Sequence, residues 1–193
     1  MVKGIDIFQE YFNEYTDQYV LIGGAACSVS FEEQDINFGR TTKDLDIVLI
    51  VEAQTKEFGN GLPPIHIDDS VSSLSAILLN DAYYQALMDG RENMRGISVL
   101  KPEWIIPFKA KAWLDLREKK DVDSSDIKKH RNDIIRIVSD MVLQKCILPD
   151  EVRKDMEKFI EQFDVTESEL KNLKIRGTKP EDIKRVLQTT YLD

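Results

Sequence analysis

Two carboxylates separated by one residue, Asp44 and Asp46, head the apolar run Ile47-Val48-Leu49-Ile50-Val51. In a strand, residues i and i+2 point to the same face. The spacing therefore predicts that both acids project side by side, with Leu45 and Ile47 turned toward a core. Neighbouring anions repel unless a cation sits between them, and Mg²⁺ favours sites of one or two carboxylates completed by substrate phosphates. The plainer alternative is that both acids solvate a strand start or pair with Lys43 and Arg40.

A second feature precedes them. Gln18-Tyr19-Val20-Leu21-Ile22 is a short apolar run, rich in branched and aromatic residues, that ends in Gly23-Gly24. Small residues follow from Ala25, so the pattern is strand, tight turn, helix. Backbone amides converge at a helix N-terminus and attract anions, and glycines let a phosphate come close. Gly23-Gly24 is no G-x-G-x-x-G fingerprint and has no P-loop lysine, which argues against a dinucleotide fold and a Walker ATPase. Alone, it reads equally as a turn that packs a helix tightly on a strand. Ser28, one helical turn beyond Gly24, offers a hydroxyl.

A third feature lies downstream: Lys109 on a long helical pattern, then Asp126 and the basic run Lys128-Lys129-His130-Arg131. Lys109 reads either as a functional cation or as a lysine snorkelling beside Lys111. Asp126 is also what a helix dipole favours in a first turn. His66 and His130 lack metal-ligand spacing and read as exposed or structural.

The elements that must hold these residues follow from periodicity. Ile5, Phe8, Phe12 and Tyr15 mark an amphipathic helix over about 5–16. A strand over 18–22, a helix over 25–33, a polar loop over 39–43 and a strand over 44–51 come next. Residues 52–64 read as a loop, 65–68 as a short strand, and 74–79 as strand or helix. A helix over 80–88 with Gly90 as its stop and a strand over 96–100 complete an α/β half, 1–100. Pro102 opens a helix to about Lys120, Ser124 or Ser125 caps the next, Pro149 and Pro180 start others, and Thr166 with Glu169 forms a capping box. The expected architecture is α/β (α+β), a mixed sheet with flanking helices, followed by a helical half over 101–193.

Composition sets the outer limits. The 193 residues carry a formal charge of −9, with 42% hydrophobic and 32% charged residues, as in an ordinary globular chain. The first hundred residues hold 6 basic against 16 acidic side chains, whereas residues 101–139 hold 10 against 7. That is too little cationic charge for a broad nonspecific DNA or RNA surface, but enough for a compact metal and polyphosphate site. No apolar run approaches membrane-spanning length. The opening residues Met1-Val2-Lys3-Gly4-Ile5-Asp6 do not read as a secretory leader. Cys27 and Cys146 lie far apart with no C-x-x-C, so a reducing, cytoplasmic setting is expected.

Taken in chain order, Val20-Leu21-Ile22-Gly23-Gly24-Ala25-Ala26 and Arg40-Thr41-Thr42-Lys43-Asp44-Leu45-Asp46-Ile47 resemble the polymerase-β-type nucleotidyltransferase superfamily. The Gly-Arg-Thr-Thr-Lys-Asp-Leu-Asp-Ile run looks most like its AbiEii/AbiGii toxin-like branch. The likeness extends through Ile105-Ile106-Pro107-Phe108-Lys109-Ala110-Lys111-Ala112-Trp113 and Asp123-Ser124-Ser125-Asp126-Ile127, covering most of 18–138. The resemblance implies that Gly23 and Gly24 hold the triphosphate of an NTP, helped by Ser28, and that Asp44 and Asp46 bind Mg²⁺ in a two-metal arrangement. It implies that Lys109 reaches the phosphates and that Asp126 completes a catalytic set with Asp44, Asp46 and Lys109. The implied activity is NMP transfer to an RNA, protein or small-molecule acceptor, in a toxin with an antitoxin-like partner. The alternative is a degenerate relative that binds a nucleotide or partner without turnover. The superfamily's third carboxylate has no clear position here. Asp68 and Asp69 are the nearest candidates, and Glu57 is a weaker one.

Overall fold

The computed structural model describes residues 4–42, 44–50, 74–76, 79–120 and 122–193. They form a mixed α/β chain that divides into two compact units. The first comprises Met1–Asn80 and Asp89–Lys101, the second Asp81–Met88 and Pro102–Asp193. The expected boundary near residue 100 thus needs one change: 81–88, most of a helix, clusters with the later helices.

Among the described residues, the first unit forms a five-stranded sheet with two helices. Its strands are β1 (Tyr19–Ile22), β2 (Leu45–Leu49), β3 (Leu74–Ala76), β4 (Arg91–Met94) and β5 (Ile97–Leu100). Their order is β3-β2-β1-β5-β4. β2 runs antiparallel to β1 and parallel to β3, while β5 runs parallel to β1 and antiparallel to β4. α1 (Ile5–Phe12), with a 3-10 turn at Asn13–Tyr15, and α2 (Gly23–Glu33) supply the helices. The core follows from alternation. Tyr19 and Leu21, Leu45 and Ile47, and Ile97 and Val99 cluster with Ile5 and Phe8 of α1 and Ala25 and Val29 of α2. Phe8 meets the edge of Tyr19 at a centroid distance of 5.1 Å.

β4 is not legible in the sequence. Arg91-Glu92-Asn93-Met94 is polar and mostly exposed, with no alternation to betray a strand. The turn supplies the missing signal. Arg95 and Gly96 both have positive φ, 53° and 78°, as a two-residue hairpin turn requires. The Arg95 guanidinium also caps the end of α2, donating to Glu33 at 2.6 Å and to the Glu32 carbonyl at 2.8 Å.

The second unit is helical: most of α3 (Asp81–Gly90), then α4 (Pro102–Glu118), α5 (Ser124–Asp140), α6 (Asp150–Gln162), α7 (Glu167–Asn172) and α8 (Pro180–Tyr191). Both arms of the Thr166/Glu169 capping box form at α7. The cap of α5 is Asp123, which accepts from the Ser125 amide at 2.8 Å, rather than either serine. Pro107 lies inside α4. It has no N–H, so the Glu103 carbonyl one turn earlier loses its helical donor. The buried Tyr191 hydroxyl donates to that carbonyl instead, so α8 repairs a defect that the α4 sequence creates. Elsewhere in this unit Trp113, Phe159 and Phe163 form an aromatic cluster, with Trp113 edge-on to Phe159 at 5.3 Å. Among the described residues no helix is long and apolar enough to cross a membrane.

Candidate functional site

β1 delivers the chain to the turn. Ile22 pairs across the antiparallel ladder with Asp46, so the residue after Ile22 lies beside that carboxylate. Gly23 has φ +67°, and a Cβ built on it would stand 2.5 Å from Asp46 Oδ2 and 3.3 Å from Cγ. Only glycine meets both demands, the left-handed backbone and the close approach of an acid. The first glycine of the turn and the second acid of the D-x-D thereby meet. Leu45 and Ile47 are buried in the core, and Asp46 between them is part-exposed on the other face of β2. Asp44, just ahead of β2, is exposed.

Gly24 has different neighbours. A Cβ there would lie 2.7 Å from Arg40 Nη2, 2.9 Å from Thr42 Oγ1 and 3.1 Å from Thr42 Cγ2. Arg40 Nη1 donates to Thr42 Oγ1 at 3.2 Å, and its guanidinium lies 5.1 Å from the centroid of the buried Phe38 ring. Consecutive glycines thus face opposite charges, a carboxylate at Gly23 and a guanidinium at Gly24. The N-cap residue of α2, Ile22, makes no side-chain cap, and the first turn contains no acid. The first turn of α2 is buried at Gly24, Ala25 and Ala26, and its positive dipole end lies at the Gly23-Gly24 turn.

Ser28 is buried, and its hydroxyl donates to the Gly24 carbonyl at 3.2 Å. This is a back-bond within α2, so the hydroxyl supports the turn's helix rather than facing outward.

Lys109 and Asp126 belong to the second unit. Lys109 is 3% exposed and donates to Asp133 Oδ2 at 2.6 Å, while Asp133 is 0% exposed. Lys109 therefore does not snorkel. Its ammonium is sealed in an ion pair between α4 and α5. Asp133 was not singled out in the sequence, although a signal was present. Lys109 interrupts the apolar positions Ile105, Ile106, Ala110 and Trp113, and Asp133 adjoins Ile134 one turn before Ile137, all buried. A charge on each of two apolar faces is the pattern of a buried pair. Asp126 is exposed in the first turn of α5.

The basic run divides by role. Arg131 grips Glu169 through Nε to Oε1 at 2.8 Å and Nη2 to Oε2 at 3.0 Å, donates to the Asp164 carbonyl, and lies 4.7 Å from the centroid of the Phe163 ring. It is a fastener of α5 to the α7 cap. His130 is part-buried, and its Nδ1 has no hydrogen-bond partner. Burial and then the Lys109 ammonium push its pKa down to about 4, against the opposing pull of Asp133.

The fit to a metal rests on the Gly23 cradle and on two carboxylates at one strand start. Hard oxygen donors of that kind suit Mg²⁺ when substrate oxygens complete the shell. Among the described residues no group of three His, Cys, Asp or Glu side chains is arranged for a metal ion. The third-acid candidates Glu57, Asp68 and Asp69 lie outside the described residues, as do Lys43 and His66. β3 runs parallel to β2 with Ser75 in register with Asp46. No protein-family model matches this chain, and neither does any curated protein or solved structure.

Proposed function

We propose that the chain is a Mg²⁺-dependent nucleotidyltransferase that moves an NMP group from an NTP to an RNA, protein or small-molecule acceptor. The observation that carries this reading is the approach of Gly23 to Asp46, a carboxylate against a glycine turn at a helix N-terminus. Asp44 and Asp46 would hold Mg²⁺, and the first-turn amides of α2 at Gly23 and Gly24 would receive the phosphates. When bound, the metal neutralises charge on the reacting phosphoryl group and on its leaving oxygens. The chain's own part is positioning: Gly23 would leave room at Asp46 for a metal and the phosphates it carries, and β2 fixes the acid's height. Such transfer is mostly placement and charge neutralisation. A cytoplasmic toxin restrained by an antitoxin-like partner is the setting that the resemblance suggests.

Asp46→Asn is expected to lower Mg²⁺-dependent transfer of label from α-labelled NTP by about a thousandfold or more, with unchanged circular dichroism. Retained turnover in a folded Asp46→Asn protein refutes the assignment. A second reading, nucleotide binding without transfer, is favoured by one observation: the β3 position in register with Asp46 is Ser75, not an acid. NTP-dependent thermal stabilisation without label transfer to any acceptor would select it.

A further inference from the structure

We propose that the outward side of α1 is the docking surface for a partner protein that presents a basic amphipathic helix. A surface helix sets its apolar stripe on the core and polar residues opposite. α1 follows the first half of that rule: Ile5 and Phe8 are buried, and Phe12 packs against the same core. It breaks the second half. Ile7, Tyr11 and, in the 3-10 turn that follows, Tyr15 are 38%, 64% and 46% exposed. Among the described residues, the other exposed large apolar side chains, Tyr84, Val142 and Ile147, are spread over α3 and the connection between α5 and α6. Scattered ones need no explanation, whereas three at a regular spacing of four form a stripe.

The charge pattern names the occupant. Each exposed apolar residue follows an acid: Asp6-Ile7, Glu10-Tyr11, Glu14-Tyr15. Residues four apart stack along a helix, so an acidic row runs beside the apolar row, and all three acids are exposed. Residues 4–18 hold four acids and no lysine or arginine. Among the described residues no ion pair engages Asp6, Glu10 or Glu14. Rows at a spacing of four are the ridges that interdigitate when two helices cross. The complement is a helix with a lysine or arginine row beside an aliphatic row, which covers the tyrosines and neutralises the acids together. An anionic membrane or a nucleic acid meets the acid row with like charge, and a second copy's α1 sets acid against acid. None of these residues belongs to the Gly23-Gly24 turn, so the surface stands whether or not that turn binds a nucleotide.

Fluorescence anisotropy of the full chain with two labelled peptides tests this. One carries Leu-Lys pairs at a spacing of four on an alanine background. The other has the same composition with the pairs shuffled out of register. The in-register peptide is expected to bind at least about tenfold more tightly, because only it aligns both rows. Tyr11→Ser should weaken it by about tenfold or more, as loss of a central aromatic anchor does. Glu10→Gln/Glu14→Gln should weaken it less, by about threefold, and remove most of its dependence on salt. Both variants should keep the melting temperature of the wild type, and Ile7→Gln replaces Tyr11→Ser should that variant not fold. Ile147→Ser, an apolar loss in the second unit, is expected to leave binding unchanged. Equal affinity for the two peptides, no binding of either, or an equal loss in Ile147→Ser overturns the proposal. So does sedimentation that shows a dimer which Tyr11→Ser converts to a monomer, because a second copy then covers the face. Binding of the wild type to phosphatidylglycerol vesicles, lost in Tyr11→Ser, overturns it in favour of a membrane.

Discussion

Asp46 and Asp133 are the same side chain put to opposite uses. Asp46 sits part-exposed at the head of β2, against a backbone turn that carries no side chain at Gly23. Asp133 is wholly buried on α5 and receives the Lys109 ammonium at 2.6 Å. A part-exposed acid keeps much of its solvation in water, so changing it costs the fold less. A sealed acid does not, because removing its counter-charge leaves an ion in a medium that solvates it poorly. The comparison separates a charge within reach of solvent from a charge that belongs to packing. It also explains why the residue types alone, a lysine and several aspartates, did not say which was which.

The hardest strain on this comparison is to break the sealed pair. Lys109→Met is expected to cost about 3–5 kcal/mol of stability by leaving Asp133 alone. The double variant Lys109→Met/Asp133→Leu should recover most of that, read by urea denaturation. If Lys109→Met melts like the wild type, the pair is not structural, and Lys109 returns as a candidate phosphate ligand. The open site should behave otherwise: Asp46→Asn removes activity and leaves the denaturation midpoint nearly unmoved.

Acid titration probes the sealed region more gently. The pKa of His130 is pushed down to about 4 from its ordinary 6.5, so the unfolded chain takes up the proton first. The stability contributed by the neutral imidazole is full above pH 6.5, declines as pH falls, and is gone once pH passes about 4. At most about 3 kcal/mol is at stake. Subtracting the His130→Gln stability profile from the wild-type one should isolate that slope. A flat difference between pH 7 and 4 would place His130 in water instead. With only two histidines in the chain, NMR can follow the ring directly.

The smallest effect is expected at the turn. Gly23→Ala should cost about 1–2 kcal/mol, since alanine resists a positive φ. Its methyl must also push Asp46 aside from 2.5 Å. The loss in nucleotide transfer should exceed the loss in stability, because the displaced group is the proposed metal ligand. Equal losses would mean that the turn is only a way to pack α2 on β1.

Much of the scaffold was legible because its causes are local. The apolar runs before Gly23 and after Asp44 became β1 and β2, and proline at the start of α4 and α8 and the Thr166/Glu169 box marked their helices. β4 escaped because an exposed edge strand has no apolar face to alternate. Residues 81–88 were assigned to the wrong unit because a helix's own pattern says that it buries a face, not against what.

By itself the sequence determined the order and type of most elements, and it placed Gly23-Gly24 after one strand and Asp44-Leu45-Asp46 at the head of another. Periodicity, caps and proline act within one or two turns of chain, so they can be read without the fold. Only the tertiary structure decided which charges meet: Asp46 at Gly23, Arg40 at Gly24, and Lys109 with Asp133 across 24 positions. Those partnerships depend on packed distances of 2–4 Å between segments remote in sequence, and no local rule contains them.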